Sequence, residues 1–285
     1  MNVSTQMWCK QHPISAFFVL SYAIAWAIWI AAGVLAPHLL PVMSLLGAWA
    51  PTVSAILLTG MIEGRAGVRA LLLRVLRWRV GLKWYAVAVG GVALIGVSAI
   101  ALHVALGGPA PRPNLPAGAP AEMWPVVLPI LFLSNVFVGG PIAEELGWRG
   151  FALPRLQARI GALAAGLVIG AAWGLWHLPF FLFTEGASVV GGMPFVWYVL
   201  LVIAWSVLMT WVYNNARESV LLMVLFHAGI NTTMGSLGLA GASGGSRLVV
   251  LNVALTWLVV AAVSIRFGPA RLAHKEIPSL QALEH

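Results

Sequence analysis

The chain of 285 residues is 61% hydrophobic and only 8% charged, with a formal net charge of +8, one cysteine and no aspartate. A soluble domain usually carries about 25% charged residues, so this composition excludes one, and a lone cysteine excludes an intramolecular disulfide and a Cys-rich metal site. The positive balance reads as basic loops on one side of a membrane, favouring anionic lipid, with no nucleic-acid partner implied.

A polar arm carrying Lys10 precedes an apolar run over residues 14–36. That run exceeds the roughly 7–15 apolar residues of a signal peptide and reads as a retained first helix. A second helix is expected over 39–62, with a kink at Pro51, whose missing donor breaks one backbone bond. Six basic residues then follow between Arg65 and Lys83: Arg65, Arg69, Arg74, Arg77, Arg79 and Lys83. With leucines interleaved, they suit a basic amphipathic helix on an anionic lipid surface, or a solvated cytoplasmic loop, which is the simpler expectation. Trp84 and Tyr85 mark an interfacial belt before a third helix ending near Leu106; His103, alone in it, reads as a packed, hydrogen-bonded residue. Residues 107–125 hold six prolines and predict an extended loop.

A fourth helix is predicted from 122–124 to the pair Glu144-Glu145, with residues 151–160 as a short amphipathic connector. The fifth to eighth are predicted over 162–183, 195–213, 219–234 and 248–267. No alternating pattern of barrel type appears. The expected fold is all-α, a polytopic bundle of about eight transmembrane helices forming one membrane domain over 1–285. Both termini are placed in the cytoplasm, because this sets fourteen of the sixteen Lys and Arg inside and leaves only Arg112 and Arg247 outside. The expected location is integral and multi-pass, in a plasma membrane of bacterial type.

Two of only eight acids stand side by side at 144 and 145, after an apolar run. An ionisable group at membrane depth is costly and functional by default. Residues four apart share a helix face, so Glu145 pairs naturally with Arg149, and Glu144 is left for chemistry. His177 follows Trp173 by four, and Asn231 follows His227 by four. Read alone, His177 is an interfacial residue, and the His227–Asn231 stripe is as much helix glue as function. Together, Glu144, His177, His227 and Asn231 bring bases and an amide from three helices. Glu and His are general bases and also zinc ligands, and Asn donates to a developing oxyanion. A Glu with two His could hold a metal with one open position, or hold a water directly.

In order and spacing, Glu144-Glu145-x-x-x-Arg149, Trp173-x-x-x-His177 and His227-x-x-x-Asn231 resemble the three motifs of the CAAX protease and bacteriocin-processing (CPBP, Abi-type) family. That family of intramembrane endopeptidases includes the type II prenyl-protein endopeptidases. The resemblance covers residues 125–235 and departs at Trp173, where the family pattern has Phe; an aromatic swap keeps the packing role. It implies an endopeptidase acting on a membrane-associated, lipid-modified or prenylated protein or peptide. Glu144 would be the general base on water with His177 beside it. His227 and Asn231 would stabilise the oxyanion, and Glu145, Arg149 and Trp173 would support them. The family is labelled metalloprotease, with Glu144, His177 and His227 as ligands to Zn or another divalent metal if one is used; a metal-free, glutamate-activated water is the other form. Two other classes fit the same polar cluster: a non-catalytic membrane immunity or scaffold protein, and a proton-coupled transporter, for which no inverted repeat is found. One tension stands. His177 lies roughly 23 Å along its own apolar run at 1.5 Å per residue, while Glu144 sits at the opposite end of the preceding helix. Either the fifth helix begins outside the bilayer or the fourth runs deeper than its hydropathy indicates.

Overall fold

Without water to satisfy them, backbone groups in lipid must be paired within their own segment, and long apolar runs therefore fold as helices. The computed structural model describes residues 3–114, 120–239 and 245–274, and every regular element among them is helical. Pro116, Lys275 and His285 lie outside the described residues.

The expected polar arm is itself a helix, α1 (Val3–Gln11), and the first spanning helix is α2 (Pro13–Leu35). The second expected helix is two pieces, α3 (Leu40–Gly47) and α4 (Ala50–Leu73). Pro51 sits in the first turn of α4, where its missing N–H is unpaired in any helix. The break accordingly falls just before it rather than at it. Of the two readings of the stretch from Arg65 to Lys83, helix and the favoured loop, most of it follows the helix. α4 continues to Leu73, bent at Gly64 (φ 70°), and a single 3-10 turn follows at Arg74–Leu76. Tertiary contacts invisible to hydropathy hold it there. Leu71 is buried, and the Arg74 guanidinium donates to the Gly150 carbonyl at 2.8 Å and the Tyr213 hydroxyl at 3.2 Å.

The third helix comprises α5 (Leu82–Tyr85), a π-helical turn (Ala86–Gly90) and α6 (Gly91–Ala105). His103 is buried in α6, yet neither of its ring nitrogens has a partner among the described residues. It is packed against Gly108, where a Cβ would fall 2.2 Å from Nε2. The fourth helix does not stop at the acidic pair. α7 (Trp124–Phe137), α8 (Gly140–Glu145), a π-helical segment (Leu146–Ala152) and α9 (Leu153–Ile160) form one helical run of 37 residues, interrupted only at Val138-Gly139. Glu144 thus lies well inside this run rather than at its end. α10 (Ala162–Trp176), the short α11 (Ala187–Val190), α12 (Phe195–Asn215), α13 (Val220–Ser236) and α14 (Gly245–Phe267) complete the chain.

Six helical stretches are long and apolar enough to cross a membrane; α10 and α13 are apolar but shorter, at 15 and 17 residues. The chain is an all-helical integral membrane protein of multi-pass type. Its tightest seam joins α10 to α12, and the cause is a glycine at every fourth position of α10. A Cβ at Gly170 would lie 2.6 Å from the Ile203 Cα, one at Gly166 3.1 Å from the Val207 Cα, and one at Gly174 3.3 Å from the Val199 Cα. Small residues let helix backbones meet where lipid offers no hydrophobic drive. Gly147 does the same against α4, where a Cβ would meet the Pro51 carbonyl oxygen at 2.5 Å.

Basic side chains gather at one end of the bundle. There Arg155 pairs with Glu63, Arg77 with Glu218 at 3.4 Å, and Arg217 donates to the Arg79 carbonyl at 3.1 Å. Asn214 and Asn215 donate to the carbonyls of Arg271 and Leu272 at 2.8 Å each. At the other end, Arg247 donates to the Leu106 carbonyl at 3.2 Å, and the Asn114 amide to the Ser236 carbonyl at 2.9 Å.

Candidate active site

The break at Val138-Gly139 starts a new helix with Gly140-Pro141, and this sets Glu144 one turn in. Gly140 leaves room for this carboxylate, because a Cβ there would fall 2.1 Å from the Glu144 Oε1 and displace it. The carboxylate folds back over the glycine, and its other oxygen, Oε2, accepts the Trp173 indole N–H at 2.7 Å. Trp173 comes from α10, held close by the α12 seam, and is 3% exposed. The tryptophan is therefore more than a packing substitute for phenylalanine: it supplies a donor that phenylalanine lacks. That donor was the signal available in the sequence.

Glu145 points away from Glu144 and meets Arg149 as spacing of four requires. The Arg149 Nη1 donates to both carboxylate oxygens, at 2.9 and 3.0 Å, with both side chains fully buried. The guanidinium also lies over the Trp173 ring, 4.6 Å from its centroid. Beyond the expected pair, Glu145 Oε1 accepts the His227 Nδ1–H at 2.9 Å. A carboxylate can only accept, so Nδ1 carries the proton and Nε2 is the ring nitrogen left for the cavity. Arg149, Glu145 and His227 thus form one buried chain. Spacing within the sequence could not show it, since Glu145 and His227 are 82 residues apart.

His177 caps α10, and its Nδ1 lies 2.8 Å from the Trp173 carbonyl oxygen, which fixes that nitrogen as the donor. Its ring packs edge-on to Trp176 and Tyr198 at centroid distances of 4.9 and 5.5 Å. Trp173 stands edge-on to His227, 4.8 Å between centroids, so one indole touches members of all three motifs. Asn231 lies one turn beyond His227 on α13. Glu144, His177, His227 and Asn231 all line a single cavity of about 690 Å³. It runs from Glu144 past Tyr198 to Asn114, Ser188 and Gly238, toward the end of the bundle opposite the basic side chains. Tyr198, a hydroxyl on the wall beside His177, carried no sequence signal.

A zinc site is built from three or four protein ligands converging on one point. Among the described residues no group of three or more His, Cys, Asp or Glu side chains is placed to hold a metal ion. With Glu144 Oε2, His177 Nδ1 and His227 Nδ1 each engaged by a neighbouring protein group, Glu144 Oε1 and the two Nε2 atoms are the ones that would hold a metal, an arrangement that metal-bound histidines share.

Residues 124–233 match the model of a family described as type II CAAX prenyl endopeptidase Rce1-like. The chain is also 28% identical over 140 residues to a CAAX prenyl protease 2 from Methanococcus maripaludis, a match covering 48% of this chain and 49% of that protein. The chain thus spans about half the length of this curated relative. All three motifs fall inside the matched segment, and over residues 124–233 the chain carries the sequence pattern of the Rce1-like type II CAAX prenyl endopeptidases.

Proposed function

We propose that the protein is an intramembrane endopeptidase that hydrolyses a peptide bond of a membrane-associated, lipid-modified substrate with a glutamate-activated water. The observation that carries this reading is the meeting of Glu144, His177, His227 and Asn231, from three helical runs, on one cavity. The name of the relative, a prenyl protease, supports a prenyl group as that lipid.

The hydrogen bonds support the following roles. Trp173 occupies Glu144 Oε2, which leaves Oε1 to receive a proton from water. His177, with its Nδ1 proton given to a backbone carbonyl, offers the Nε2 lone pair to the second water hydrogen. The water oxygen then attacks the scissile carbonyl carbon as Glu144 takes its proton, and the C–O bond forms. The resulting oxyanion accepts from the Asn231 amide and from His227 Nε2. That donation requires the His227 ring to have taken a second proton from water in the cavity before the attack, with the Glu145 carboxylate at Nδ1 orienting it. Collapse breaks the C–N bond, and Glu144 returns the proton to the departing nitrogen. Glu145, Arg149 and Trp173 are positioning residues in this scheme.

The test is cleavage of a prenylated CAAX peptide by the full-length chain in detergent. Glu144→Gln is expected to lower the rate by about 10²–10⁴-fold, the usual contribution of a general base, with unchanged thermal stability. A variant as active as the wild type would remove the assignment. Chelation is expected to leave the wild-type rate unchanged; loss reversed by a divalent metal would show that Glu144, His177 and His227 act as ligands.

A further inference from the structure

A second cavity, of about 950 Å³, lies at the basic end of the bundle, remote from Glu144. Four cationic side chains line it: Arg77, Arg79 and Lys83 from the segment after α4, and Arg217 from the turn between α12 and α13. Glu218 is the sole carboxylate among its lining residues and is paired with Arg77. Assembling four cations around one space is unfavourable unless an anion offsets them, and the protein builds this assembly deliberately. Arg217 and Glu218 both adopt left-handed backbone, with φ of 56° and 55°. Such conformations are strained for side-chain-bearing residues and concentrate where a site must be held in shape. Arg217 then donates to the Arg79 carbonyl at 3.1 Å, Arg77 donates back to the Arg217 carbonyl at 3.1 Å, and Ser219 donates to the Arg77 carbonyl at 2.6 Å. The two basic segments are laced backbone to side chain in both directions.

The remaining wall is apolar and aromatic at Leu76, Trp78, Trp84 and Phe267 and polar at Asn214, Asn215 and His274. Trp78 is 60% exposed and lies under the Arg79 guanidinium at 5.0 Å, and Lys83 lies over Trp84 at 5.2 Å. An exposed indole beside a cation, as at Trp78, suits the headgroup layer of a membrane, and guanidinium groups match phosphate oxygens in a fixed fork. We propose that this cavity is a discrete binding site for the phosphate of an anionic lipid headgroup, with Arg77, Arg79, Lys83 and Arg217 on the phosphate and Trp78 at the acyl boundary. The site is distinct from diffuse attraction by the whole basic stretch, because Arg65 and Arg69 are exposed on α4 and do not line it.

The experiment uses the full chain in neutral detergent and follows its melting temperature on titration with short-chain phosphatidylglycerol, phosphatidylcholine or inorganic phosphate. Saturable stabilisation by phosphatidylglycerol is expected, with at least tenfold weaker response to the zwitterionic lipid and none to inorganic phosphate. Arg79→Gln/Lys83→Gln is expected to weaken that response at least tenfold, whereas Arg65→Gln/Arg69→Gln, with the same change of charge, leaves it intact. Equal loss in both double variants would reduce the site to diffuse electrostatics and overturn the proposal, as would no saturable response. Saturation by inorganic phosphate at the same concentration would overturn the lipid as its source. If the first double variant does not fold, Lys83→Gln alone carries the same comparison.

Discussion

Neighbouring glutamates with the same side chain have opposite duties, and one substitution separates them. Glu145 neutralises a fully buried Arg149 and holds His227. Removing one member of a buried ion pair leaves the other uncompensated, at a cost of about 3–5 kcal/mol. Glu145→Gln is therefore expected to lower the melting temperature markedly as well as activity, whereas Glu144→Gln affects activity alone; equal thermal effects would contradict the division. Trp173→Phe keeps the ring and removes the donor to Glu144. A hydrogen bond to a charged group contributes about 1.5–3 kcal/mol, so cleavage is expected to fall about 10- to 100-fold with the fold retained, and an unchanged rate would remove the positioning role. Gly140→Ala forces its new methyl onto Glu144 Oε1. A displacement of that order costs about 100-fold in rate, to be read as lost cleavage at normal expression. The Glu145–Arg149 pair was legible in the sequence because spacing of four is local. The His227 link to Glu145 and the Gly140 cradle were not, since one joins distant helices and the other depends on which way a carboxylate folds.

Among the elements, the α10–α12 seam decides whether Trp173 and His177 reach the other motifs. Gly170→Ala would set a methyl within 2.6 Å of the Ile203 Cα, and overpacking of this kind costs about 1–3 kcal/mol. Lower thermal stability and weaker cleavage are expected together, while Gly90→Ala, with open space around it, changes neither. Helix existence along the chain followed from apolar runs, and α12, α13 and α14 lie within three residues of their expected bounds. Helix ends were less legible where charge and packing disagree. The basic stretch after Gly64 reads as loop by hydropathy, yet Leu71 and Arg74 dock it as helix. The acidic pair reads as a helix end, yet the run continues through a π-helical segment, an irregularity often found beside functional groups.

At the scale of the whole molecule, charge and cavity point in opposite directions. Basic groups are laced together at one end, and the cavity that holds Glu144 runs to Asn114, Ser188 and Gly238 at the other. We propose from the positive-inside rule that the basic end is cytoplasmic and that the cavity opens on the opposite face. In a Cys9→Ser background, a thiol introduced at Ser188 is expected to react with an impermeant maleimide in intact cells, and one at Arg159 only after the cells are broken. The reverse pattern would invert the assignment, and labelling of both from one side would contradict the placement at opposite ends. The central claim is that Glu144 drives proteolysis, and its most direct test is a quantitative comparison of membrane proteins from cells carrying the wild type or Glu144→Gln. The expected result is one or more full-length proteins that accumulate with the variant and are shortened when the wild type is restored; indistinguishable profiles, with both proteins equally abundant, would contradict it.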